Sequence, residues 1–267
     1  MTRIDRPRDI SLRHGALFRV VRVFAKEAQY ELIKLVRERA YVFSVIGLPI
    51  VFFLVFGIAH PNQIVQGQPV SRYLLASYSA FGAMGAALFA IGVGLVTERS
   101  HGWLALKRAS PMPTSSYLTA KVFAALAFGE LITFALMALG VITAGMSVSG
   151  IEILRLAMAI AGGVFAFSAI GVFLGLILSP GSAVGMINLV YLPLSLCGGL
   201  WVPLDMLPKW LQSIAPLLPS YQFSCLTLHA LGYSGGAAWS AWALLFAYGV
   251  LFTLLSVWLF RRQELVR

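Results

Sequence analysis

Six long apolar stretches separated by short polar segments divide this chain, at approximately residues 41–59, 73–96, 117–144, 156–178, 183–202 and 238–260. A helix needs about 20 mostly apolar residues to cross the hydrocarbon of a bilayer. The pattern therefore predicts an all-α integral membrane protein with six transmembrane helices. A membrane β-barrel is excluded, because it would show short alternating segments instead.

Two segments outside the spans have patterns of their own. In residues 16–39 the apolar positions Leu17, Val20, Val21, Phe24, Ala28, Leu32, Leu35 and Val36 recur at helical spacing, with Arg19, Arg22, Lys26, Lys34 and Arg37 largely elsewhere on the wheel. This predicts an N-terminal amphipathic interfacial helix on the membrane surface, after a charged and loosely ordered start at residues 1–12. In residues 198–223, Trp210, Leu211, Ile214, Leu217 and Leu218 fall on one helical face. Pro203 and Pro208 precede them, and Pro216 and Pro219 interrupt the end. That segment is too short and broken to span, which predicts a short re-entrant helical segment before the last span. Two units follow: residues 1–39, a tail with the interfacial helix, and residues 40–267, the permeation domain.

Composition agrees with the spans. The chain of 267 residues is 59% hydrophobic and 11% charged, with mean hydropathy +0.85, against roughly a quarter charged in soluble domains. The net charge of +10 does not point to nucleic acid, because the basic residues flank membrane spans. Ten Lys and Arg precede the first span, four lie in residues 97–121 and three in the tail, against Arg72, Arg155 and Lys209 on the other side. By the positive-inside rule both termini and the segment at 97–121 are cytoplasmic. Cys197 and Cys225 form no disulfide framework, and His14, His60, His101 and His229 lack metal-ligand spacing.

The segment Thr97 to Pro113, TERSHGWLALKRASPMP, is polar and lies between two spans. It reads as a handle in water beside the membrane. Leu104 and Leu106 sit in a stretch long enough for two helical turns, which Pro111 and Pro113 stop. Something on the cytoplasmic side is expected to grip this handle and move the attached spans.

Within the spans, Pro49 predicts a kink in the first. Small residues in the second and a GxxxG at Gly171 and Gly175 predict close packing inside one subunit. Glu130 is the one acid well inside a span: a functional carboxylate, a protonated acid hydrogen-bonded in the bundle, or half of a structural pair. Asn188 reads as an interhelical hydrogen-bond link, and Glu152 with Arg155 as a local pair.

Taken together these features resemble the permease subunit of ABC type-2 transporters, over nearly the whole chain. The resemblance rests on LVRERAYVFSVIGLPIVFFLVFG, on the ER-x-x-G-x-L pattern at Glu98, Arg99, Gly102 and Leu104 with Pro111 and Pro113 behind it, and on GLWVPLDMLPKWLQSIAPLLPSYQF. It implies that the handle is a coupling helix docking on an ATPase, so that Glu98, Arg99, Gly102, Trp103, Leu104, Leu106, Pro111 and Pro113 serve that contact. Trp103 stands where the family leads one to expect a small or polar residue. The resemblance also implies a working unit of two permeases and two ATPases in the bacterial inner membrane, moving a drug, lipid or polysaccharide outward. The stretch with Pro203, Pro208, Trp210, Pro216 and Pro219 would then lie near the outer mouth. No GxxxxGK[ST] phosphate loop occurs in this chain, so ATP and magnesium belong to a partner ATPase. The other partners are membrane lipids and a second copy or a sibling permease. The alternative is a proton-coupled secondary transporter using Glu130. An intramembrane enzyme is disfavoured, since no nucleophile, base or metal set converges.

Overall fold

The computed structural model describes residues 9–57, 64–65, 67–103, 114–233 and 238–265, with side chains described from residue 22 onward except at 65, 114–115 and 263–265. Among the described residues five helices are long and apolar enough to cross a membrane: α2 (Arg39–Gly57), α3 (Val70–Ser100), α4 (Thr114–Ala144), α5 (Gly150–Ile177) and α9 (Ala238–Leu265). Before them runs α1 (Asp9–Arg37), and between α5 and α9 come α6 (Ala183–Cys197), α7 (Lys209–Ile214) and α8 (Pro219–Ala230). A minimal antiparallel hairpin pairs β1 (Ile64–Val65) with β2 (Gln68–Pro69). The expected all-α membrane architecture is present.

α3 is the hub. Every residue from Val70 to Ala87 except Arg72 is buried, because small side chains let its neighbours come close. At Gly92 an added Cβ would meet Ile187 of α6 and the Gly171 carbonyl of α5, and one at Gly175 would meet Leu95 and the Gly92 carbonyl. The GxxxG pair thus packs within one subunit, as expected. Large apolar side chains face outward instead, among them Leu131 and Phe134 of α4, Leu189 of α6, and Phe246, Leu254 and Trp258 of α9. That inversion suits lipid.

Pro49 acts differently from a simple kink. The proline ring would collide with the carbonyl of the residue four back in an α-helix, and α2 widens to π turns at Phe43–Gly47 and Phe53–Gly57 on either side of it. α3 widens similarly at Leu88–Val93.

Several expectations are corrected. Helix α1 begins at Asp9, inside the stretch expected to be loose. Its inner face, Ala28, Glu31 and Leu35, is buried, and Phe24 meets Phe123 of α4 edge-on at 6.0 Å. This part of the helix rests on the bundle, because a charged residue on its apolar face finds partners there. The helix expected across residues 183–202 ends at Cys197. Gly199, at φ +73°, closes it: the Gly199 amide donates to Leu196 and the Leu200 amide to Ser195, a C-terminal motif that glycine allows. Fifteen residues rise only about 22 Å.

The segment beyond departs further. Leu211 is buried while Trp210, Ile214 and Leu217 are exposed, so they do not share one face. Pro208 precedes α7 and Pro203 precedes a short 3₁₀ turn at Leu204–Met206. Pro216 lies in a second such turn, Ala215–Leu217. Pro219 begins α8 rather than interrupting a helix, since a proline at the first helical position loses nothing. Phe223 of α8 fills the space over Gly163 of α5.

Candidate functional site

The described ends of the handle, α3 and α4, are clasped together at their base. Glu98, on the last turns of α3, is 2% exposed. Its carboxylate accepts hydrogen bonds from Lys34 of α1, from Tyr117 of α4 and, at 2.9 Å, from Lys121 of α4. Lys121 is 1% exposed and also donates to both carboxylate oxygens of Glu31 of α1, at 2.9 and 3.0 Å. Its ammonium lies 5.0 Å from the centre of the Tyr117 ring, within cation–π range. Among the described residues two carboxylates and two ammonium groups thus close on one another, balanced in charge. This is the condition under which burying charge is tolerable. Burial alone would pull the Lys34 ammonium down, but Glu98 and Glu31 outweigh it and hold that ammonium above its ordinary value.

The neighbouring Arg99 reaches a different helix. Its guanidinium donates to the carbonyls of Leu176 and Leu178 at the end of α5, satisfying acceptors that a helix C-terminus leaves open. Below these contacts Leu95, Tyr117 and Leu176 form a small apolar cluster. The four charged groups and Arg99 therefore tie α1, α3, α4 and α5 into one unit at the root of the handle.

Beyond the clasp the chain turns outward. The Gly102 amide donates to Arg99, at φ +73° with open space around its α-carbon. This is the left-handed exit that ends α3. Trp103 is 48% exposed and sits 5.6 Å from the His101 ring. Leu104, Leu106, Pro111 and Pro113 lie outside the described residues. Of the handle residues named from sequence, Glu98 and Arg99 hold the root, while Gly102 and Trp103 stand at the exit.

Sequence reasoning missed Glu31, Tyr117 and Lys121 as partners, and set Lys34 among the basic positions off the apolar face that meet headgroups. The available signal was Glu31, which interrupts the apolar positions Ala28, Leu32 and Leu35 of α1. A second was a lysine following apolar Tyr117, Leu118 and Ala120 in the third span.

These four helices and their glycine crossings are the setting for the comparisons with known proteins. The profile described as ABC-2 type transporter matches residues 27–227, from α1 to α8. The chain belongs to the ABC-2 type transporter family. A protein described as a transport permease, YvfS of Bacillus subtilis (strain 168), is 30% identical over 244 residues, covering 91% of this chain and 99% of that one. The clasp residues Glu31, Lys34, Glu98, Tyr117 and Lys121 all lie inside the ABC-2 match.

The remaining predicted positions are separate from the clasp. Glu130 of α4 is half-buried, and its Oε2 is enclosed without a hydrogen-bond partner among the described residues. Asn188 of α6 is half-buried and makes no interhelical hydrogen bond among the described residues. Glu152 does not pair with Arg155, which is exposed. Its carboxylate instead accepts from Arg72 of α3 and from Ser149, with which it forms a capping box at the start of α5. The longer reach won because the fold brings α3 and α5 side by side at that end.

Proposed function

We propose that this chain is the membrane-spanning permease subunit of an ATP-driven exporter, whose handle is a coupling helix held by a separate ATPase. The observation that carries the reading is the buried clasp at the handle's root. A displacement of the handle must either break the buried pairs that Lys121 makes with Glu31 and Glu98 or move α1, α3, α4 and α5 together, and removing one partner of a buried pair costs about 3–5 kcal/mol. Movement is the cheaper response. ATP and magnesium bind in the partner, and closing the ATPase pair pulls the handle. For this to do work, the nucleotide-bound ATPase must hold the handle differently from the empty one.

In this reading the end carrying the clasp, α1 and both termini faces the cytoplasm across a bacterial inner membrane, in accord with the distribution of basic residues. α6 with its continuation makes the sixth crossing. The stretch from Pro203 through α8 is re-entrant at the outer side; α8, at 12 residues, is too short to cross. Two copies, or this chain and a sibling, enclose the path of a drug, lipid or polysaccharide, with membrane lipids around them.

Co-purification from the native membrane tests it. Wild type is expected to bring down a stoichiometric ATPase, and Trp103→Asp, at the exposed exit, is expected to lose it while remaining folded. Glu98→Gln should keep the ATPase yet uncouple ATP hydrolysis from transport. Recovery of the chain without any ATPase, in a detergent that preserves such complexes, would overturn the reading.

An oxygen of Glu130 that has no hydrogen-bond partner among the described residues favours a second reading, a proton-coupled carrier. Transport driven by a proton gradient without ATP, and abolished by Glu130→Gln, would select it.

A further inference from the structure

At the end of the bundle opposite the clasp, a cavity of about 110 Å³ opens between α3, the Gly199 turn and α8. Tyr73, Tyr221, Tyr233, Asp205, Ser224 and Cys225 are among its lining residues. Tyr73 and Tyr233 stand almost perpendicular, their ring centres 6.0 Å apart at 80°. Neither ring is free to turn away. The Tyr73 hydroxyl donates to the Gly199 carbonyl at 3.0 Å, and that of Tyr233 to the Pro69 carbonyl at 3.2 Å. With their hydroxyls engaged by backbone, these tyrosines offer the cavity aromatic surface. Tyr221 adds a third ring, from α8. Asp205 is the one carboxylate in the lining, and no basic residue lines it among the described residues. The nearby cation, Arg72, is matched by Glu152 and donates to the carbonyls of Ser147 and Leu231.

Fixed aromatic rings around a space with a carboxylate on its wall are the arrangement that attracts an organic cation, through the ring quadrupoles and the single negative charge. The cavity is smaller than the roughly 300–1,000 Å³ of sites for drug-sized ligands. It suits the charged end of a molecule rather than the whole. We propose that this pocket binds a substituted ammonium group. Supplied by a lipid headgroup or by a free amine, that group would give the transported substrate its chemical class, an extension that rests on the exporter reading. Binding at the pocket does not depend on that reading.

The test uses the full chain in nanodiscs of phosphatidylglycerol, without ATPase, so failure of the exporter reading leaves it untouched. Choline is the probe and 3,3-dimethylbutanol its uncharged isostere, with binding followed by calorimetry. The expected result is saturable choline binding about tenfold tighter than that of the isostere. Asp205→Asn and Tyr221→Leu should each weaken choline about fivefold, and Tyr221→Phe, which keeps the ring, should restore it. Choline and the isostere binding alike would overturn the proposal, as would Asp205→Asn binding choline unchanged. Discs doped with phosphatidylethanolamine identify the source: competition with choline assigns the ammonium to a lipid, and undiminished choline binding assigns it to a free amine.

Discussion

The two ends of the bundle use the same residue types to opposite effect. At the clasp, Glu31, Lys34, Glu98 and Lys121 are consumed by one another. At the far end, Arg72 and Glu152 pair likewise, and a further acidic residue, Asp205, lines a cavity. A closed charge set makes a rigid joint, and an open one leaves capacity for a ligand. In the proposed reading, the spans between them connect a part that an ATPase grips with a part that accepts a cation.

The sharpest way to break this contrast is Lys121→Met. It leaves Glu31 and Glu98 with Lys34 as the remaining lysine among the described residues of the clasp, and thermal unfolding followed by tryptophan fluorescence should report a loss of about 3–5 kcal/mol. Adding Glu98→Gln should recover part of that loss, since it removes the stranded charge; a double variant no better than the single would mean the clasp is not electrostatic. Gly163→Ala comes next, at about 1–3 kcal/mol, because its Cβ would lie 2.2 Å from the Phe223 ring. Limited proteolysis should then find α8 loosened while the clasp end resists. Arg72→Gln is expected to cost about 1.5 kcal/mol. A larger cost than that of Lys121→Met would reverse the ranking of the two ends.

The smallest effect is on alkaline stability. The Lys34 ammonium is held above its ordinary 10.5, so its stabilisation is fully present below that pH and is lost as pH rises through the higher folded-state value. Comparing wild type with Lys34→Gln across that range should show the two unfolding curves converge. Curves that stay parallel would remove Lys34 from the clasp.

Much of the bundle could be read from one dimension, because lipid leaves little choice: an apolar run of about 20 residues must become a helix. Glycines at Gly171 and Gly175 could be assigned to internal packing for the same reason. The clasp could not be assembled that way. Its bonds join residues 64 and 90 positions apart, and a lone Lys beside a span is indistinguishable from one that meets headgroups. Lys121 was counted toward the positive-inside balance although it is buried. α8 went unrecognised because Pro216, just before it, and Pro219, its first residue, read as interruptions, and only the fold distinguishes a proline that ends a helix from one that starts it.

The π turn at Leu88–Val93 is a store of one spare residue. Each residue of an α-helix advances the side-chain direction by about 100°, and a widened turn takes up one residue more than a regular turn, so that the part of α3 beyond it keeps the bearing of an unbroken helix. Deleting Ala90 would let the helix regularise with its span intact and its apolar character unchanged. Glu98 and Arg99 would then still face Lys121 and the end of α5, whereas losing a residue from a regular stretch of α3, with the widened turn retained, would swing them about 100° away. The two deletions shorten the helix equally, and only the second rewires its lower terminals.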